Sequence, residues 1–125
     1  MAADVILIID DDEDILEITG ALLRSEGFDV LSAVTVEKGL EIVRKMSPQL
    51  VLLDLVFPED SFYGVKAAEL IKRENPSMPV FMFSAVAREY AFGFRRSDVD
   101  VDEFLVKPVD TRRLVDMIRN RLKVQ

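Results

Sequence analysis

QLVLLDLVFP, residues 49–58, is the stretch on which the reading of this chain turns. Leu50 to Leu53 make a continuous apolar run, the pattern of a strand buried on both faces. Asp54 is the one carboxylate set inside it, and an acid there is costly unless something pairs with it. The rest of the sequence can be searched for that partner.

Outward from this run, strands alternate with helices. Residues 5–9 (VILII) are rich in β-branched side chains and stop abruptly at acids, a second buried strand. Asp12 is placed to cap a helix on which Ile15, Leu16, Ile18, Leu22 and Leu23 recur at helical spacing, ended by Gly27. Residues 28–33 read as a strand. Thr35 is the expected N-cap of a helix with Val36, Leu40, Ile42 and Val43, which stops before Ser47-Pro48. A loop over 58–64 leads to a helix with Val65, Ala68, Leu70 and Ile71, ending near Asn75-Pro76. Residues 79–83 (PVFMF) and 104–106 supply two further strands. Residues 111–124 predict a last amphipathic helix with Leu114, Val115, Ile118 and Leu122 inward. Over 88–101 the signal weakens: Tyr90, Ala91 and Phe94 allow a short helix, against Gly93 and SDVDVD.

Five β/α units in 125 residues predict one domain, 1–125. Its sheet should be doubly wound, parallel and ordered 2-1-3-4-5, flavodoxin-like, with helices on both faces. Strands one and three then lie side by side and their connections leave to opposite faces. Asp10, Asp11 and Asp54 all fall in the crevice at their carboxyl ends.

Composition narrows the function classes. Apolar and charged fractions of 50% and 31% are those of a soluble globular protein, and a net charge of −7 argues against a nucleic-acid-binding surface. No cysteine means no disulfide, zinc-thiolate site or thiol nucleophile. No run suits a signal peptide or a membrane span, so a cytoplasmic location is expected.

Three carboxylates in one crevice repel one another, so either one takes a proton or a cation neutralises them. With only oxygen donors at hand, the cation is Mg²⁺, with Mn²⁺ or Ca²⁺ as alternatives. An aspartate carboxylate is also a competent nucleophile toward phosphorus. The transferring group then needs donors and positive charge, for which Ser84 and Lys107, after strands four and five, are the candidates.

At this point the chain resembles a bacterial two-component response-regulator receiver domain over essentially its whole length. The matching motifs are IIDDDEDI (8–15), LLDLVFP (52–58), FSA (83–85) and FLVKPV (104–109). The resemblance implies that Asp54 is the phosphoacceptor for a sensor histidine kinase. It also implies Mg²⁺ held by Asp11 directly, by Asp10 mainly through water, by Asp54 and by the Val56 carbonyl. Ser84 would bond a phosphoryl oxygen, Lys107 would pair with Asp54 and then with the phosphoryl group, and Phe104 would be the switch aromatic. Lys107-Pro108 would be cis. Such a domain is not an enzyme in the ordinary sense, since it assists only its own phosphorylation and dephosphorylation. Its output would be a downstream protein or a domain outside this chain. A homodimer through the face of the fourth and fifth helices and strand five is allowed, with neither nucleic acid nor membrane as a direct partner.

Two departures from the family pattern stand out. The loop after Pro58 is two residues longer than DxxxPxxxG, and SDVDVDE replaces the usual Ala-Gly-Ala turn before strand five. Val56 and Val86, which flank the phosphoryl position, are apolar.

Simpler readings stand beside these. Asp10 and Asp11 could serve only the helix dipole, and a calcium loop is excluded because Ile15 and Ala21 stand where it needs Gly and Glu. Ser84 alone could be a strand-end hydrogen-bonder, Lys107-Pro108 a turn, Phe104 core, and the basic residues of 112–123 a solvated helix face. Among functions, a phosphorylation-independent interaction module keeps the fold without the switch. A flavodoxin-type electron carrier would need a hydroxyl- and glycine-rich loop where DDDED stands. A haloacid-dehalogenase-like phosphohydrolase would need DxDxT there.

Overall fold

The same apolar runs build the centre of the computed structural model of the chain. It describes residues 3–54, 63–84, 101–106 and 110–123, with Asp54, Tyr63, Phe83, Ser84 and Val106 described through their backbone alone. The element order is β1 (Val5–Ile9), α1 (Glu13–Ser25), β2 (Asp29–Ala33), α2 (Val36–Met46), β3 (Leu50–Asp54), α3 (Tyr63–Glu74), β4 (Val80–Ser84), β5 (Glu103–Val106) and α4 (Thr111–Lys123). All described strand pairs are parallel, in the order β2-β1-β3-β4-β5. The expected doubly wound sheet is present.

Alternation along each strand divides the core into two layers. Leu7, Ile9, Val51, Leu53, Val80 and Met82 point to one side, where Val36 and Val43 of α2 and Ala67, Ala68 and Ile71 of α3 cover them. Ile6, Ile8, Leu50, Leu52, Phe81 and Leu105 point to the other, under Leu23 of α1 and Leu114, Val115 and Ile118 of α4. Burial on both faces is why β1 and β3 read as unbroken apolar runs.

The helix ends follow from their capping residues. Asp12 caps α1, its Oδ1 accepting from the Asp14 and Ile15 N–H groups at 2.9 and 3.3 Å. Thr35 caps α2, its Oγ1 accepting from Lys38 N–H at 3.1 Å. Gly27, at φ +97°, closes α1 with its N–H on Arg24 O, and Phe28 N–H reaches Leu23 O.

Three expectations need correction. Ile18 is 67% exposed, because α1 turns toward the sheet through Gly20 and Leu23, both buried, and away from residue 18. Helix α3 begins at Tyr63, before the end of the expected 58–64 loop. Strand β4 runs one residue later than PVFMF, so Ser84 is its last residue. The 88–101 segment is largely outside the described residues.

Candidate functional site

The parallel register aligns the expected residues along one edge. Ile9 of β1 pairs with Leu53 of β3, so Asp10 and Asp54 follow at the same level. Asp54 pairs with Phe83, the residue before Ser84, and Ser84 pairs with Val106, the residue before Lys107. Neighbouring strands lie about 4.8 Å apart, which sets Asp54 one spacing from both β1 and β4. Strand β5 is two spacings from Asp54, about 10 Å, a distance only a long side chain closes.

Asp10 is the one acid within the described core. It is 0% exposed. Its N–H donates to Ala33 O at 3.0 Å, extending the β1–β2 ladder by one rung, and its Oδ1 accepts from Asp12 N–H at 2.9 Å. The first bond fixes the Asp10 backbone at the ends of β1 and β2, and the second ties its carboxylate to the start of α1. The bond to Asp12 turns the chain so that Asp12 can cap α1, and one run of acids therefore serves both turn and cap. Asp11, between them, is exposed.

Phe104 is half-buried and packs on the α2–α3 side of the core, while Leu105 belongs to the α1–α4 side. Val56, Lys107 and Pro108 lie outside the described residues, as do the 59–62 loop and the side chains of Asp54 and Ser84. Backbone pairing thus brings together positions 10, 54 and 84 and ends β5 one residue before 107. Sequence reasoning missed the Asp10–Asp12 bond, although its signal, successive Asp residues before a helix, was present.

A hard divalent cation fits this donor chemistry. Asp10 and Asp11 offer only oxygen, and the chain contains neither histidine nor cysteine. A buried acid next to an exposed one suits an ion that keeps part of its water shell.

The model for the response regulator receiver domain matches residues 6–119. The chain belongs to that family. Receiver domains are signalling domains of two-component systems rather than classical enzymes. This receiver is 33% identical over 98% of its length to a "Probable transcriptional regulator ycf27" of Porphyridium aerugineum, of which it covers 50%. It is 30% identical over 94% of its length to the "DNA-binding response regulator MtrA" of Mycobacterium tuberculosis, again covering 50%. The chain therefore spans about half the length of these curated relatives. Among solved structures it resembles a CheY-like receiver domain protein of Methanospirillum hungatei, at 30% identity and TM-score 0.86, covering 98% of this chain and 95% of that one. No helix among the described residues is long and apolar enough to cross a membrane.

Proposed function

We propose that this receiver takes a phosphoryl group on Asp54 from a sensor histidine kinase in the cytoplasm, with Mg²⁺ as cofactor. The observation that carries the reading is the register that aligns residues 10, 54 and 84 at the carboxyl edge of the sheet. In the transfer, an Asp54 carboxylate oxygen forms the new bond to phosphorus as the bond from phosphorus to the imidazole nitrogen breaks. The electron pair stays on the leaving nitrogen. Asp11, Asp10, Asp54 and the Val56 carbonyl would hold the metal, which supplies positive charge to the transferring oxygens. Asp10, whose Oδ1 accepts from Asp12 N–H, would be oriented before the donor arrives. Ser84 donates to a phosphoryl oxygen, and Lys107 exchanges its pairing with Asp54 for the phosphoryl group. The gain favours one of two conformations, read by a downstream protein or an output domain.

Acetyl phosphate with Mg²⁺ should add the mass of one phosphoryl group to the parent protein and none to Asp54→Asn. Equal labelling of the two would overturn the assignment.

A further inference from the structure

One carboxylate holds the amino end of β5. Asp102 stands immediately before the strand, and its Oδ2 accepts from Val80 N–H at 2.8 Å and from Lys72 Nζ at 2.9 Å. Its own N–H donates to Val80 O at 2.8 Å. Lys72 Nζ also donates to Met78 O at 3.1 Å, and Arg121 of α4 lies 3.6 Å from Oδ1. The Lys72 and Asp102 side chains are only 14% and 20% exposed. Solvent and salt screen such a pair far less than one on the surface. A single side chain thereby joins α3, the start of β4 and α4.

Strand β5 needs such a hold. It is four residues long and, among the described strands, has β4 as its one neighbour. In a short edge strand the register is set by its few inward side chains and by contacts at its ends, since the backbone ladder itself repeats. A slip of one residue would turn Phe104 from the α2–α3 core to the opposite face. It would also carry residue 107 about 3.3 Å along the sheet, enough to spoil a contact at the phosphoryl position. Asp102 opposes that slip because its partners sit on elements that do not travel with β5.

We propose that Asp102 is a positioning residue, a latch that fixes the register of β5 and so sets where Phe104 and Lys107 stand. The claim about register is independent of the phosphoacceptor reading. The claim about Lys107 rests on it.

The test is residue-resolved amide hydrogen exchange on the full chain, paired with titration by beryllofluoride in the presence of Mg²⁺. In Asp102→Ala, amides 104–106 should exchange at least about tenfold faster than any acceleration in β1 and β3 explains. Beryllofluoride affinity should fall by about tenfold. Asp102→Asn keeps an acceptor for Val80 N–H and should restore most of the protection. Should Asp102→Ala not fold, Lys72→Met removes only the ammonium and must show the same selectivity at smaller amplitude. Uniform acceleration across all strands would overturn the latch. Selective loosening of β5 with unchanged beryllofluoride affinity would overturn its role in placing Lys107. A parent chain that binds no beryllofluoride would refute the phosphoacceptor reading and that role together, while exchange alone would still decide the latch.

Discussion

The two ends of the sheet treat their carboxylates differently. At the amino ends, acids are matched with cations of the same chain. Asp102 meets Lys72 and Arg121, and Glu26, in the turn before β2, accepts from Arg119 NH2 at 2.9 Å through both its carboxylate and its carbonyl. Arg119 also lies over the Phe28 ring at 5.8 Å, so the turn, the strand and α4 are tied together. At the carboxyl ends, the buried Asp10 is bonded to neighbouring backbone, its N–H donating to Ala33 O and its Oδ1 accepting from Asp12 N–H. The amino ends are thus joined through ion pairs, while Asp10 is built into the turn that starts α1.

The contrast breaks most sharply at Asp10. Asp10→Asn removes the charge but keeps an oxygen for Asp12 N–H, so the fold should survive. Mg²⁺ affinity should drop by about 100-fold, the upper end of what losing a partner near a metal costs. The readout is the rise in unfolding midpoint that Mg²⁺ produces, which follows directly from binding to the native state. At the other end, Glu26→Gln should lower the midpoint, by about 1 kcal/mol of stability for a half-exposed charge-assisted bond, and leave the Mg²⁺ increment intact. A full increment in Asp10→Asn, or a lost one in Glu26→Gln, would erase the distinction.

Much of this was legible from side-chain pattern. The runs at 5–9 and 50–53 announced strands covered on both faces, and Asp12 and Thr35 announced helix starts, because those signals are local. Strand order followed from the alternation of elements, and with it the crevice between Asp10 and Asp54. What escaped was set by pairing across the fold. Ile18 fell within the apolar helical pattern, whereas buried Gly20, with no side chain to count, marks the inward face. Ala67, buried in α3, was passed over although its neighbour Ala68 was counted. Asp102 looked like one more acid in SDVDVDE, since its partner Lys72 lies thirty residues away and no periodicity points to it.

Support for the carboxyl end can be tested one step back from Asp10. Gly39 sits in the first turns of α2, where an added Cβ would lie 2.7 Å from Ile9 Cγ1 and closer still to Ile9 Cδ1. Ile9 is fully buried and is followed by Asp10. Gly39→Ala gains up to about 1 kcal/mol of helix propensity but forces overpacking that costs about 1–3 kcal/mol. We expect net destabilisation of about 1–2 kcal/mol in urea unfolding. Ile9→Val removes the nearest atom, Cδ1, so the double variant should be more stable than the sum of the singles. Simple additivity would show that α2 yields freely there, and that the seat of Ile9 does not depend on a bare Cα.

The smallest expected effect lies at the amino end, on its exposed rim. Arg44 of α2 donates through Nε to Glu74 Oε1 at 3.0 Å and through NH2 to Oε2 at 2.9 Å, joining the carboxyl ends of α2 and α3. The hydrogen bonds from Arg44 hold the Glu74 carboxyl below the ordinary glutamate range, and the same contact raises the Arg44 guanidinium. A depressed carboxyl pKa stabilises the fold at pH values above the unfolded glutamate's pKa. That contribution disappears as pH falls through the lower folded value. The parent and Arg44→Met should therefore differ slightly in urea midpoint near neutrality and converge on acidification. Added salt should shrink the neutral-pH difference, because both groups face water. A gap that widens toward low pH would mean that Arg44 acts through its aliphatic stem on the packing of α2 against α3, not through the charge it brings to Glu74.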